Sequence, residues 1–193
     1  MNVTLTLVTL TVLVSALGWM LPALKRALIY WPPGVARGQW WRLVSHGLIH
    51  ANVMHLAFNM ITLYVFGTVM ELVLVPHIGV LGFVLFYLLG LLIAILPTHL
   101  RYRGDASYLS LGASGAVAAM LFAYILLRPW SLLFVFVVPV PAIAFAALYV
   151  FYSLWAQRHV DDNVNHSAHL WGGAWGVIFM LGLMASTYPG ELI

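Results

Sequence analysis

Three groups of residues in this chain have the types and spacing to do chemistry together. Ser114 sits in Gly112-Ala113-Ser114-Gly115, where a polar loop gives way to an apolar run. Small neighbours leave its hydroxyl open and let backbone N–H groups approach a ligand. A helix starting there favours developing negative charge. That is a seat for an acyl-transfer nucleophile, although small residues equally suit a plain contact between membrane helices. A hydroxyl attacks poorly until a neighbouring imidazole takes its proton. His169, in Ala168-His169-Leu170-Trp171-Gly172, is the candidate base. Alone it would serve as well as a packed, hydrogen-bonded side chain or as a metal or haem ligand. The third group is His50, His55 and Asn59. His55 and Asn59, four apart, share a helix face and can both donate to a tetrahedral oxyanion. His50 reads as an interhelical polar clamp.

The elements that must position these groups are membrane helices. The chain has 193 residues, 64% hydrophobic and 7% charged, with a mean hydropathy of +1.02. Eight Lys/Arg and five Asp/Glu cannot cover a soluble domain of this size. At about 20 apolar residues per span, the length allows about six spans. The expected fold is an all-α membrane protein, a single polytopic domain over 1–193. Spans are predicted near 3–24, 52–74, 78–96, 112–127, 131–155 and 168–186. A Trp-, Pro- and Gly-rich connection, Lys25 to Ile49, lies at the interface, and polar loops run from Thr98 to Ser110 and from Gln157 to Ser167. With six spans, the starts of spans two, four and six share one membrane face, and all three polar groups sit there. Ser114 then lies on the order of 5 Å below the start of its span. Gly172 and Gly176 form a small face on span six, and Ser114, Gly115, Ala118 and Ala119 form one on span four. Packing these faces together brings Ser114 and His169 to the same depth.

Other classes of function are excluded or weakened. The net charge of +3 comes from scattered basic residues, so no nucleic-acid surface is expected. There is no cysteine, hence no disulfide and no thiolate chemistry. The run Val3–Leu24 has no basic leader and no small-residue cleavage site, and is read as a retained span. Glu71 reads as a cap for interhelical contacts, and Asp161 and Asp162 as a solvated loop. Pro139 and Pro141 fall in the fifth span and loosen its helix, as an ordinary kink or as a mobile gate.

Gly38-Gln39-Trp40-Trp41-Arg42, the His50/His55/Asn59 series, Gly112-Ala113-Ser114-Gly115 and Ala168-His169-x2-Gly172-x3-Gly176 resemble the signatures of the rhomboid intramembrane serine proteases. They occur in family order over residues 38–176, within a rhomboid-like core of about 38–186. The resemblance implies a six-helix bundle with a Ser114–His169 dyad, and no acidic third member, cofactor or metal. It implies an oxyanion site from the Ser114 N–H with the His55 and Asn59 side chains, and a structural first loop containing Trp41 and Arg42. It further implies transmembrane protein substrates of one span. These enter beside the fifth helix and are cut after a small residue near a helix-destabilised segment. The bilayer implied is a bacterial-type cell (inner) membrane. The chain departs from the family at Ala118, where members often carry an aromatic packed on the catalytic imidazole; Phe122, one turn on, is the candidate substitute.

Charge counting conflicts with the family on orientation. The active-site face carries Lys25, Arg26, Arg37, Arg42, Arg101, Arg103 and Arg158, and the opposite face only Arg128. The positive-inside rule would put the site in the cytoplasm, whereas the resemblance implies, for bacterial members, a dyad that opens to the outside. Two other readings stand beside the protease. One is a haem- or metal-binding membrane protein using His46, His50, His55 and His169. The other is an inactive rhomboid-like protein that binds its clients without cutting them. Nothing in the sequence speaks to oligomeric state.

Overall fold

The computed structural model describes residues 2–135, 137–160, 162 and 164–187. Helix α1 (Val3–Met20) opens on Asn2, whose side chain accepts from the Leu5 N–H. The N–H groups of Val3 and Thr4 donate to the Glu71 carboxylate at 2.8 and 2.7 Å, so Glu71 caps a helix other than its own. The helix stops at Met20, short of the expected residue 24, because Pro22 pushes Leu21 into an extended conformation.

The connection that follows is folded. It holds α2 (Pro22–Leu28), α3 (Pro32–Ala36), α4 (Arg42–Ser45) and a 3-10 turn, His46–Leu48. Buried Arg42 is its hub. It donates to Gln39 Oε1 at 2.6 Å and to the carbonyls of Arg26 and Ile29 at 2.7 Å each. A Cβ at Gly34 would lie 2.6 Å from Arg42 Nε, so only glycine admits the guanidinium there. The Trp41 indole donates to the Ala27 carbonyl at 3.1 Å.

Helix α5 (Val53–Tyr102) has 50 residues. Straight, it would be about 75 Å long, against a hydrocarbon core of about 30 Å. Gly79 breaks it with φ 69° and ψ 174°, a conformation essentially reserved for glycine. The sequence points to Pro76 as the start of this turn; the helix instead runs past that proline and reverses at Gly79. The second limb also continues through Pro97 to Tyr102, beyond the expected end at 96.

Helix α6 (Ser114–Leu127) is the central element, buried at nine of its 14 positions. The first limb of α5 runs along it, with His55 beside Gly112 and Phe66 against Tyr124. The second limb runs against it, with Gly90 on Ala116 and Ala94 on Gly115. Helix α8 (His166–Thr187) runs parallel to α6, and helix α7 (Ala142–His159) antiparallel to both.

The region 131–155, expected as one helix, is a corrected element. Strands β1 (Leu132–Val135) and β2 (Val138–Pro141) form an antiparallel hairpin, pairing Leu132 with Pro141 and Phe134 with Pro139. Only from Ala142 is the chain helical. Val138-Pro139-Val140-Pro141 explains the change: the two prolines lack N–H donors and hold their predecessors extended. Neither proline therefore lies inside a helix, and the kink and the gate read from them both lapse. The fold is otherwise helical.

Among the described residues three helices are long and apolar enough to cross a membrane, Val3–Met20, Val53–Tyr102 and His166–Thr187, and Ser114–Leu127 is a shorter apolar helix. Their outer faces remain apolar: Leu13, Leu72, Leu81 and Ile178 are all exposed. Water would penalise such a surface and lipid tails would not.

Candidate active site

At 14 residues, α6 is about 21 Å long, shorter than the hydrocarbon core. Its first residue is Ser114. The segment entering it is held by the first loop. Tyr30 and Ser110 form an antiparallel bridge, their N–H groups donating at 3.0 and 3.2 Å. The Gly112 N–H donates to the His46 carbonyl at 2.9 Å, and the Ala113 N–H to His50 Nε2 at 3.3 Å. Gly112 itself has φ +112°, and a Cβ there would lie 2.7 Å from the His55 ring.

His50 is fully buried at the centre of this support. Because the Ala113 N–H occupies Nε2, the neutral ring carries its proton on Nδ1. That nitrogen meets Ser15 Oγ at 3.0 Å, and Ser15 donates to the Leu48 carbonyl at 2.8 Å. The Trp19 indole donates to the His50 carbonyl at 2.8 Å. Burial, reinforced by His55 and His46, pushes the His50 imidazole down to about 3. The unfolded chain thus binds the extra proton first as pH falls. Stability held above pH 6.5 is lost progressively as the pH drops from there towards 3. Replacing His50 with Ala leaves the Ala113 N–H without its acceptor and Ser15 with only its bond to the Leu48 carbonyl. We expect a loss of about 2 kcal/mol, read as a lower thermal midpoint in detergent at pH 7.5.

Helix α8 brings His169 to Ser114, with Nε2 2.8 Å from Oγ. The approach depends on glycine. A Cβ at Gly172 would collide with the Gly115 carbonyl oxygen, and one at Gly176 with that of Ala119. The start of α8 is fixed by Asn165. Its side chain accepts from the Ala168 N–H at 3.0 Å and bonds reciprocally to Thr98 at 3.0 and 3.2 Å. Two rings pair with the imidazole: Tyr149 of α7, at 6.1 Å between centroids with the planes 30° apart, and His166 of its own helix, edge-on at 6.0 Å. Phe122 packs on Tyr149 at 5.6 Å and against Gly173, behind that pair.

His55 and Asn59 line the same cavity as Ser114 and His169, a space of about 1100 Å³. The Asn59 amide donates to the His55 carbonyl at 2.8 Å, which leaves its second N–H for the cavity. Among the described residues no side chain caps α6, which leaves its leading N–H groups without an intrahelical partner. On its other side Ser114 borders an apolar cleft of about 520 Å³ between the first limb of α5 and α7. It stands where a cavity lined by both polar and apolar side chains meets a mainly apolar one.

Asp162 bonds elsewhere. Its carboxylate accepts from the Val164 N–H at 3.0 Å and lies 3.2 Å from His166 Nε2. The Val164 N–H, with His166, holds it below the usual carboxylate range. Asp161 lies outside the described residues. Among the described residues no three of His, Asp and Glu gather to hold a metal ion, and both His50 nitrogens are already engaged.

The Rhomboid domain family description matches residues 37–186. This chain belongs to the rhomboid family. It is 30% identical over 148 residues to the rhomboid-family protein YdcA of Bacillus subtilis (strain 168), covering 72% of this chain and 65% of that one. It is 30% identical over 154 residues to RHOMBOID-like protein 12, mitochondrial, of Arabidopsis thaliana, covering 71% and 44%. Rhomboid protease GluP of Bacillus subtilis (strain 168) is 34% identical over 83 residues, covering 43% and 15%. The chain thus spans less than two thirds of the length of these relatives. As a rhomboid it is a membrane protein.

Ser15, Asn165 and Tyr149 are the site-supporting residues of this rhomboid that sequence reasoning missed. Asn165 carried a signal, an Asx residue one position before the helical run. Ser15 and Tyr149 carried none, since each acts across helices distant in sequence.

Proposed function

We propose that this rhomboid is an intramembrane serine endopeptidase that hydrolyses single-span membrane proteins with a Ser114–His169 dyad. The observation that carries this reading is the 2.8 Å contact of Ser114 Oγ with His169 Nε2, at the meeting point of the larger cavity and the apolar cleft. A peptide bond held in lipid and a water molecule to cleave it must meet at such a boundary.

The chemistry follows from the donors available. His169 Nε2 takes the Ser114 proton as Oγ attacks the substrate carbonyl carbon. The oxyanion is bound by the Ser114 N–H and by the His55 and Asn59 side chains. His169 then protonates the leaving amine, and a water from the cavity, deprotonated by the same imidazole, releases the acyl group. No metal or cofactor is required. The N–H groups of Gly112 and Ala113 are held by the His46 carbonyl and by His50 Nε2, so that the nucleophile does not drift.

Six spans complete the proposal: α1, residues 53–78, residues 80–102, α6, α7 and α8, within one polytopic domain over 1–193. The membrane is a bacterial-type inner membrane, with the dyad opening away from the cytoplasm. Three cations that weigh against this orientation are engaged in local structure, which supports discounting them. Arg42 is bound within the first loop, Arg37 stacks 4.7 Å from the Trp31 ring, and Arg101 lies 5.3 Å from the Tyr102 ring.

A serine-directed fluorophosphonate tests the nucleophile without a known substrate. The expected outcome is labelling of the wild-type protein, lost in both Ser114→Ala and His169→Ala. A wild-type chain that takes no label while folded would favour a client-binding rhomboid without activity.

A further inference from the structure

The inner face of α7 repeats at intervals of four and three: Ala142, Ala146, Tyr149, Ser153 and Ala156. The four small members are buried and let α7 come close to its neighbours, but they give it little to grip. Tyr149 is the one large side chain of the stripe. Its ring lies 5.6 Å from Phe122 on α6, 5.8 Å from Phe145 on its own helix and 6.1 Å from His169 on α8. These separations lie within the range of attractive ring pairs.

Helix α6 offers the imidazole no comparable support. Ala118, one turn beyond Ser114, is buried and presents only a methyl group. It lines the apolar cleft together with Tyr149. The His169 ring thus has Ser114 at its Nε2, His166 of its own helix edge-on at 6.0 Å, and Tyr149 of α7, tilted by 30°, as its support from another helix.

We propose that Tyr149 is a positioning residue for His169, so that the dyad is fully aligned only while α7 is docked against α6 and α8. This rests on the hydrolytic reading of Ser114 and His169. Tyr149 forms part of the cleft wall, so a helix entering there would bear on the same side chain that steadies the base. Cleft occupancy and base orientation are coupled through one ring.

The test uses the full chain in lipid nanodiscs, labelled with isotope at histidine, as wild type, Tyr149→Phe and Tyr149→Leu. The His169 imidazole resonance is identified by its loss in His169→Ala. It should shift and broaden in Tyr149→Leu and stay in place in Tyr149→Phe. Turnover of a single-span substrate should show kcat about tenfold lower in Tyr149→Leu, with KM within about twofold, and near-wild-type kcat in Tyr149→Phe. A role in packing alone would lower the thermal midpoint of Tyr149→Leu and leave kcat per folded molecule unchanged. An unmoved His169 resonance overturns the proposal, as does wild-type kcat in Tyr149→Leu. If the wild type cleaves nothing, the hydrolytic reading fails, and the resonance alone still decides whether Tyr149 orients the imidazole.

Discussion

His169→Ala should lower the rate of substrate cleavage by about 10⁴-fold or more, leaving a folded protein. The size of the effect follows from the nucleophile. An alcohol is almost wholly protonated at neutral pH, and its attack on an amide needs a base in contact with the hydroxyl. Among the described residues, the side chain hydrogen-bonded to Ser114 Oγ is His169. Losing it removes both the base for attack and the acid for amine departure. His169 is only partly buried, so the thermal midpoint should move little. Asp162→Asn is the informative companion. Its carboxylate lies against His166, not His169, so the initial rate should stay within about threefold of wild type. A dyad predicts this pattern; a triad through Asp162 predicts a loss approaching that of His169→Ala. Initial rates on a single-span substrate, with thermal midpoints for each variant, check both.

Gly172→Val should cost about 3 kcal/mol of stability and abolish cleavage in whatever protein remains folded. A Cβ at Gly172 would overlap the Gly115 carbonyl oxygen and lie 2.7 Å from the Gly115 carbonyl carbon and 2.9 Å from its Cα. These are backbone atoms of the central helix, which cannot rotate aside as a side chain can, so α8 must move outward. His169 lies on α8 one turn before Gly172 and would be drawn from Ser114. Gly176→Val should behave likewise, since its Cβ would meet the Ala119 backbone. Gly182→Ala on the same helix is the control: nothing lies within 4 Å of its Cβ position. There alanine should be neutral or stabilising by about 0.5–1 kcal/mol, from helix propensity alone. Thermal midpoints and cleavage rates of the three variants give the comparison.

What the sequence made legible was governed by local period and by span parity. Small residues four apart on two segments, Gly172 with Gly176 and Gly115 with Ala119, specify a close helix contact whatever surrounds them. In the structure those residues meet. The polar side chains His50, His55, Asn59, Ser114 and His169 stand out because such groups are costly in hydrocarbon. Two kinds of feature were hidden. The first is the hairpin over 132–141, whose apolar composition fits a span; only the alternating prolines argue otherwise. The same ambiguity misplaced the turn of α5, where Pro76 is tolerated within the helix and Gly79 supplies the reversal. The second is contact between distant helices. Lipid-facing and core-facing sides of these helices are both apolar, so hydropathy does not report each helix's rotation about its axis. Ser15 beneath His50 and Tyr149 beside His169 depend on that rotation.

The proposed reaction is cleavage of a peptide bond by Ser114 inside the membrane. Its most direct measurement is a comparison of wild type and Ser114→Ala, each reconstituted in liposomes with a single-span substrate whose fragments are resolved by mass. Wild type should release two fragments cut within or at the edge of the apolar segment, and Ser114→Ala should release none above background. Fragments formed by Ser114→Ala at the wild-type rate would contradict the account.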